Sequence, residues 1–263
     1  MIFSLISLMD FKKSPKNNFF SIIYLSNIFM MIEIYYRIEE SKGIIKCDCI
    51  EGIKKAFMAI KHHRKILEDY ISNNPIFKFA LTPIEVEENA PLIIKKMVEY
   101  SKIARVGPMA SVAGVLADLA LNAAISEKCK NIMVENGGEI AIIWDKEIKV
   151  GIANSSIVLK IKPEDMPIGI ATSSGKYGHA LSFGRADNVT VIADNAGMAD
   201  AAATAICNAT KGGDYEAIKR GLEKAKEIKS IRGVIILIGK LIGILGNIPE
   251  IVYIQRGKYG EII

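Results

Sequence analysis

The stretch "GMADAAATAIC", residues 197–207, sets Asp200 and Thr204 into an otherwise alanine-rich helical pattern. A spacing of four puts a carboxylate and a hydroxyl on one helical face. Two such hard oxygens suit Mg2+, which takes a few protein ligands and fills its remaining positions with water and phosphate. The pair also has a plain structural reading, with Asp200 as an anion in a first turn and Thr204 bonding back to the chain. Three glycine-bearing segments join it: "GPMASVAGVLAD" (107–118), "ENGGEI" (135–140) and "ATSSGKYGHALSFG" (171–184). Glycines at strand ends let backbone N–H groups approach a ligand, and Thr172, Ser173 and Ser174 add hydroxyls suited to phosphate or ribose. Singly, each segment is also an ordinary turn. A histidine such as His179 can act as a general base near neutral pH, though a loop histidine equally serves as a hydrogen-bonding residue. Cys47 and Cys49, read as i, i+2 on one strand, would share a face and suit a soft metal or sulfur chemistry; the alternative is two reduced thiols. A zinc site needs two more ligands, and the adjacent His62 and His63 do not form a recognisable ligand pair.

The elements that must position these residues follow from periodicity. "IEIYYRIEE", "SKG" and "IIKCDCI" predict a hairpin over 32–50, followed by an amphipathic helix that stops before Pro75. A strand is predicted over "FKFALTPIEV" (77–86), then a helix from about Asn89 to near Gly107 and a small-residue helix over 108–126. Short strands are expected at "NIMVEN", "EIAIIW", "EIKVGIA", "SIVLKI", "IGIAT", "HALSF" and "NVTVIAD". The alanine-rich helix, a charged helix "DYEAIKRGLEKAKEI" and glycine-punctuated strands over 233–254 complete the chain. Helices and strands alternate without the rhythm of a doubly wound parallel sheet, which predicts an α+β fold in one compact domain with mixed or antiparallel sheets over 31–263.

Composition narrows the function classes. The 263 residues are long enough for one full core, and a net charge of +5 is spread over several helices rather than gathered into a basic stripe with aromatics. That distribution argues against a nucleic-acid partner. The apolar runs near the N-terminus are broken by "DFKKSPKNN", and the run over 233–254 is broken by Lys240 and three glycines. Neither supplies the roughly 20 unbroken apolar residues of a spanning helix, so no membrane partner is expected. Residues 1–30 read as a loose tail or a misassigned start, since recognisable strand patterning begins only near Ile32. Four cysteines do not make a disulfide framework, which points to a reducing cytoplasm. Association into a homo-oligomer is left open.

The order of these pieces resembles the ApbE superfamily, whose characterised members are FAD:protein FMN transferases. The resemblance runs over roughly residues 100–210: Gly114 with Asp118, then Asn136, Gly137, Gly138 and Glu139, then Thr172, Ser173, Ser174 and Gly175, then His179, the "VTVIA" strand, and Asp200 with Thr204. More closely, the chain from about Ile32 is similar to an uncharacterised ApbE-like family of archaea and anaerobic bacteria. The resemblance implies an ApbE-like domain that binds FAD or a related pyrophosphate nucleotide through the glycine-bearing segments. It further implies Mg2+ on Asp200 and Thr204, and His179 as the base that activates a threonine of an acceptor protein. Two positions depart from the transferase pattern: Ala113 stands where a lysine is usual and Ser182 about where an aspartate is. Losing those charges weakens neutralisation and positioning of a pyrophosphate, so the alternatives implied are a Mg-dependent phosphoryl or FMN transferase and a non-catalytic flavin or nucleotide binder. A third, from the context of the uncharacterised family, is an accessory factor in anaerobic sulfide assimilation.

Overall fold

The computed structural model describes residues 20–26, 29–126, 128–153, 155–175 and 184–253. The predicted first hairpin is formed by β2 (Phe29–Ile38) and β3 (Ser41–Cys47). Its turn falls at Glu39–Glu40 rather than at "SKG", with Glu39 in the left-handed region at φ 51. Gly43 is instead a strand residue, and a Cβ there would lie 1.9 Å from the Glu135 carbonyl oxygen of the neighbouring strand. Part of the segment expected to be a tail is an edge strand, β1 (Phe20–Ser26), antiparallel to β2; residues 1–19 lie outside the described residues.

α1 (Ile50–Asn73) ends where the sequence places its stop, and Pro75 opens a separate short helix, α2 (Pro75–Phe79). The strand predicted over 77–86 does not form. Phe77 is buried edge-on against Tyr70 of α1, which holds its segment helical, and Pro83 removes a ladder donor from the second half of the predicted strand. α3 (Leu92–Ala104) and a 3-10 turn at Pro108–Ser111 then lead into α4 (Val112–Ala124).

The remaining strands are β4 (Ile132–Asn136), β5 (Glu139–Ile143), β6 (Ile148–Gly151), β7 (Ile157–Ile161), β8 (Ile168–Ser173), β9 (Asn188–Ala193), β10 (Ile231–Ile238), β11 (Leu241–Gly246) and β12 (Glu250–Tyr253). A nine-stranded sheet runs β1-β2-β3-β4-β5-β8-β9-β10-β11 and a three-stranded sheet runs β12-β7-β6; every pairing among the described residues is antiparallel. The fold is α+β, as the sequence predicts. Between β9 and β10 come α5 (Ala196–Ala209) and α6 (Asp214–Glu227).

Alternation along the central strands explains why they read as nearly continuous apolar runs. Ala171, Val191, Val234 and Ile236 pack against the helices, while Ile170, Ile192, Ile235 and Leu237 pack against the small sheet. Both faces of the large sheet are therefore covered, a condition that removes the usual polar alternation. Among the described residues no single helix is long and apolar enough to cross a membrane.

The cysteines depart from the sequence expectation. Cys47 is the last residue of β3, but Cys49 is already the N-cap of α1, so the two are not strand neighbours on one face. Cys49 is joined to Cys129 by a disulfide rather than held as a reduced thiol. Antiparallel pairing of Cys47 with Ile132 brings the two remote segments together, a juxtaposition that spacing along the chain does not reveal.

Candidate functional site

α4 and α5 pack through small residues and cap each other. Gly114 makes the approach possible, since a Cβ there would stand 2.3 Å from the Ala196 carbonyl oxygen. Asp200 Oδ2 on α5 accepts the Gly114 N–H of α4 at 3.0 Å. In return Asp118 on α4 accepts the Ala196 and Gly197 N–H groups of α5, each at 2.8 Å. Each carboxylate thus satisfies amides that the first turn of the other helix leaves without an intrahelical partner. Asn195 completes the start of α5 by accepting the Met198 N–H at 2.9 Å.

The β4–β5 turn closes over the start of α4. Gly137 and Gly138 take φ 71 and 112, a conformation that glycine adopts without a Cβ penalty. Asn136 is buried and spends both ends of its amide: Nδ2 donates to the Ala113 carbonyl at 3.0 Å and Oδ1 accepts the Tyr36 hydroxyl at 3.1 Å. Glu139, paired with Asn136 in the ladder, is buried beside Asp200. Glu135 accepts the Gly138 N–H at 2.5 Å.

The result is a concentration of negative charge at the junction of the turn and the two helices. Burial pushes the Asp200 carboxyl up to about 7 against the Gly114 bond, and the charge of Asp118 adds to the rise. Burial likewise raises Asp118 to about 6, opposed by its two amide donors and by Lys96. Glu139 is held well above the usual carboxylate range by burial first, then by Asp200, with Glu135 a further negative neighbour. Along α5 the side chains at 200, 204 and 208 are only half-buried while most of the helix is fully buried, so Asp200 and Thr204 lie on the stripe that is not packed away.

The loop residues predicted for the site divide. Thr172 follows Ile170 onto the sheet face that carries the small sheet, and its Oγ1 lies 2.9 Å from Thr190 Oγ1. Its side chain is therefore on the opposite face of the sheet from α5. Ser173 follows Ala171 onto the helix face and is half-buried at the end of β8. Gly175 donates its N–H to Ala186 at 3.0 Å, and Gly184 packs against the Cys207 carbonyl at the C-terminal end of α5. Ser174 lies between them and the strand. His179 and Ser182 fall in 176–183, outside the described residues, as does the strand predicted at "HALSF".

A cavity of about 270 Å3 is lined among others by Lys96, Tyr100, Asp118, Asn122, Asp194 and Asn195. Of the residues predicted for the site it takes in only Asp118. The sequence does not single out Glu135, Tyr36, Lys96 or Asn195. Glu135 adjoins the "NGG" turn and is within reach of the motif, whereas Tyr36 enters only through the register of three strands.

The family profile described as "AbpE bacteria" matches residues 36–232. The UPF0280 protein of Methanocaldococcus jannaschii is 43% identical over 224 residues, covering 82% of this chain and 91% of that protein. The UPF0280 protein of Methanosarcina acetivorans is 36% identical over 225 residues, covering 84% and 88%. Among solved structures, the ApbE protein of Thermotoga maritima aligns with a TM-score of 0.50 at 13% identity, covering 86% of this chain and 96% of that one, a likeness of fold.

Proposed function

This chain belongs to the ApbE-like UPF0280 family, and we propose that it binds FAD or a related pyrophosphate-containing nucleotide together with Mg2+ at the α4–α5 junction, as an ApbE-type transferase. The observation that carries the proposal is the acidic set, with Glu139 buried and Asp118, Glu135 and Asp200 half-buried around it. The neighbouring charges that weigh on Glu139 and Asp200 are those of Asp200, Glu135 and Asp118, all negative. A divalent cation beside them would remove the repulsion and let both groups ionise. Asp200 and Thr204 would hold it, one helical turn apart on the stripe of α5 that is not packed away. Mg2+ there supplies neutralisation of a pyrophosphate.

The chain's own groups supply the rest. The Gly114, Gly137 and Gly138 N–H groups are taken by Asp200, the Lys42 carbonyl and Glu135, so a phosphate would meet the cation rather than these amides. Ala113, standing where a lysine is usual in the transferases, supplies no positive charge, which leaves neutralisation in this reading to the cation. His179 would take the proton from the acceptor protein's hydroxyl as it attacks phosphorus. Thr172 is given no part in ligand contact, because its hydroxyl is paired with Thr190 on the far face of the sheet.

Isothermal titration with FAD, with and without Mg2+, tests the binding claim. The expected result is Mg2+-dependent binding at micromolar concentration that is lost in Asp200→Ala. Absence of binding in both conditions would overturn it. Incubation with FAD and a threonine-containing acceptor protein, followed by mass measurement, separates the transferase from a non-catalytic binder: a covalent FMN adduct is expected from the native chain and none from His179→Ala.

A further inference from the structure

A second cluster lies at the opposite end of β4, about 13 Å along the strand from the acidic site. Cys47 ends β3, Asp48 follows it, Cys49 caps α1, and Cys129 sits just before β4. The three sulfurs and a carboxylate oxygen of Asp48 all lie within 4.8 Å of one another. Cys47 and Cys129 are fully buried, whereas Cys49 is half-buried. We propose that in its reduced form this cluster is a structural site for a zinc-type divalent cation, with Cys47, Cys49, Cys129 and Asp48 as a closed set of four ligands.

Dimensions and second-layer contacts carry the proposal. Zn–S bonds of about 2.3 Å and Zn–O bonds of about 2.1 Å set donor separations of about 3.6 to 3.8 Å in a tetrahedron. The Cys47 thiol donates to Asp48 Oδ1 at 3.6 Å, already the sulfur–oxygen edge of that figure. The other oxygen of Asp48 is fixed by three donors, the N–H groups of Lys130 (3.3 Å) and Asn131 (3.0 Å) and Asn131 Nδ2 (3.1 Å). That bonding aims Oδ1 at the sulfurs and supplies the outer support that ligating carboxylates ordinarily have. Cys49 Sγ accepts the Gly52 N–H at 3.1 Å at the start of the 24-residue α1, where backbone donors favour a thiolate. Gly52 also leaves the space in which the sulfurs meet: a Cβ there would lie 2.5 Å from Cys47 Sγ, 3.1 Å from Cys129 Sγ and 3.3 Å from Cys49 Sγ.

A disulfide accounts for only part of this. The Cys49–Cys129 bond uses two of the three sulfurs and leaves Cys47 a free buried thiol whose S–H points to Asp48 Oδ1. A cation uses all four donors. To reach that state a dithiol reductant gives two electrons and two protons to the disulfide, yielding two thiols and its own cyclic disulfide. The cation then displaces three thiol protons, and the four-ligand set with a +2 ion carries a net charge of −2. Four protein ligands leave no open position, which makes the site structural rather than catalytic. It would tie the β3–α1 junction to the segment entering β4.

The full chain, reduced with dithiothreitol, desalted anaerobically and freed of metal, is titrated first with Co2+ and then with Zn2+. One equivalent of Co2+ per chain is expected, with thiolate charge-transfer absorption and the intense visible bands of tetrahedral cobalt, displaced by one equivalent of Zn2+. Cys47→Ser leaves the disulfide partners intact and should weaken Zn2+ binding by at least about tenfold, as should Asp48→Asn. Cys207→Ser on α5 should bind as the native chain does. Circular dichroism of each variant in its oxidised form checks that it is folded. Absence of charge-transfer absorption in the reduced native chain, or a folded Cys47→Ser chain that binds Zn2+ as tightly as native, overturns the proposal.

Discussion

Asp200→Asn is the most informative single change, because its consequence for stability is opposite in sign to that of losing an ordinary helix-capping charge. The asparagine side-chain oxygen can still accept the Gly114 N–H that Asp200 accepts at 3.0 Å. What disappears is a carboxylate whose folded pKa stands near 7 against an ordinary value of 3.8, raised by burial and then by Asp118. Below both values the group is neutral in the folded and unfolded chain and contributes no pH dependence. Between them the unfolded chain has lost the proton and the folded chain keeps it, so stability falls as pH rises from about 4 to about 7; above 7 the penalty is constant. Three pKa units correspond to ~4 kcal/mol at most. Relief shared with Glu139 and the cost of burying an amide reduce the expected gain to about 1–3 kcal/mol at pH 8. At ~2–4 °C per kcal/mol for a chain of this size, Asp200→Asn should melt several degrees above the native protein at pH 8 without Mg2+. The two should converge toward pH 4. Differential scanning calorimetry across that range gives the comparison. If Asp200 instead stabilises α4 as a charged cap, worth ~0.3–1 kcal/mol, the asparagine variant will melt lower at pH 8 than native. That result would refute the account of a strained acidic set, and with it the reason for expecting a cation there. Adding Mg2+ should raise the melting temperature of the native chain and leave the variant unmoved.

Thr204→Val keeps the shape of the side chain and removes its hydroxyl; Mg2+-dependent FAD affinity should fall about tenfold with the melting temperature within about 2 °C of native, as read by calorimetric titration and thermal melts. Thr172→Val should do the reverse, costing about 1 kcal/mol of stability through the bond to Thr190 while leaving FAD affinity unchanged. Gly114→Ala puts a methyl group 2.3 Å from the Ala196 carbonyl oxygen, and since backbone cannot step aside as a side-chain tip can, urea denaturation should show a loss of about 3 kcal/mol.

How far the sequence reaches into this molecule depends on whether a signal is local. The helices and most of the short strands are legible because their periodicity and their glycine and proline punctuation are local, and Asp200 with Thr204 is legible because a spacing of four is fixed by helical geometry alone. The strand expected over 77–86 fails for the opposite reason. Its alternating pattern is real, but the burial of Phe77 against Tyr70 outweighs it, and that contact belongs to the helix before it. Thr172 shows a finer limit. The hydroxyl-rich "TSSG" run looks like one ligand-facing loop, yet β8 continues through Ser173, and the pleat sends Thr172 to one face and Ser173 to the other. The role of Asp118 is half visible: its chemistry can be named from sequence, but not that both oxygens are spent on the amides of a helix 78 and 79 residues away. Cys129 is not visible at all, being 80 residues from Cys49 and brought to it only by the β3–β4 register. The two sites at the ends of β4 therefore differ in how they are encoded. The acidic one is anchored in a motif on a single helix and gains its other carboxylates from the fold, whereas the sulfur one exists only once the sheet has formed, so mutations that shift the β3–β4 register should abolish the sulfur site while leaving the Asp200–Thr204 spacing untouched.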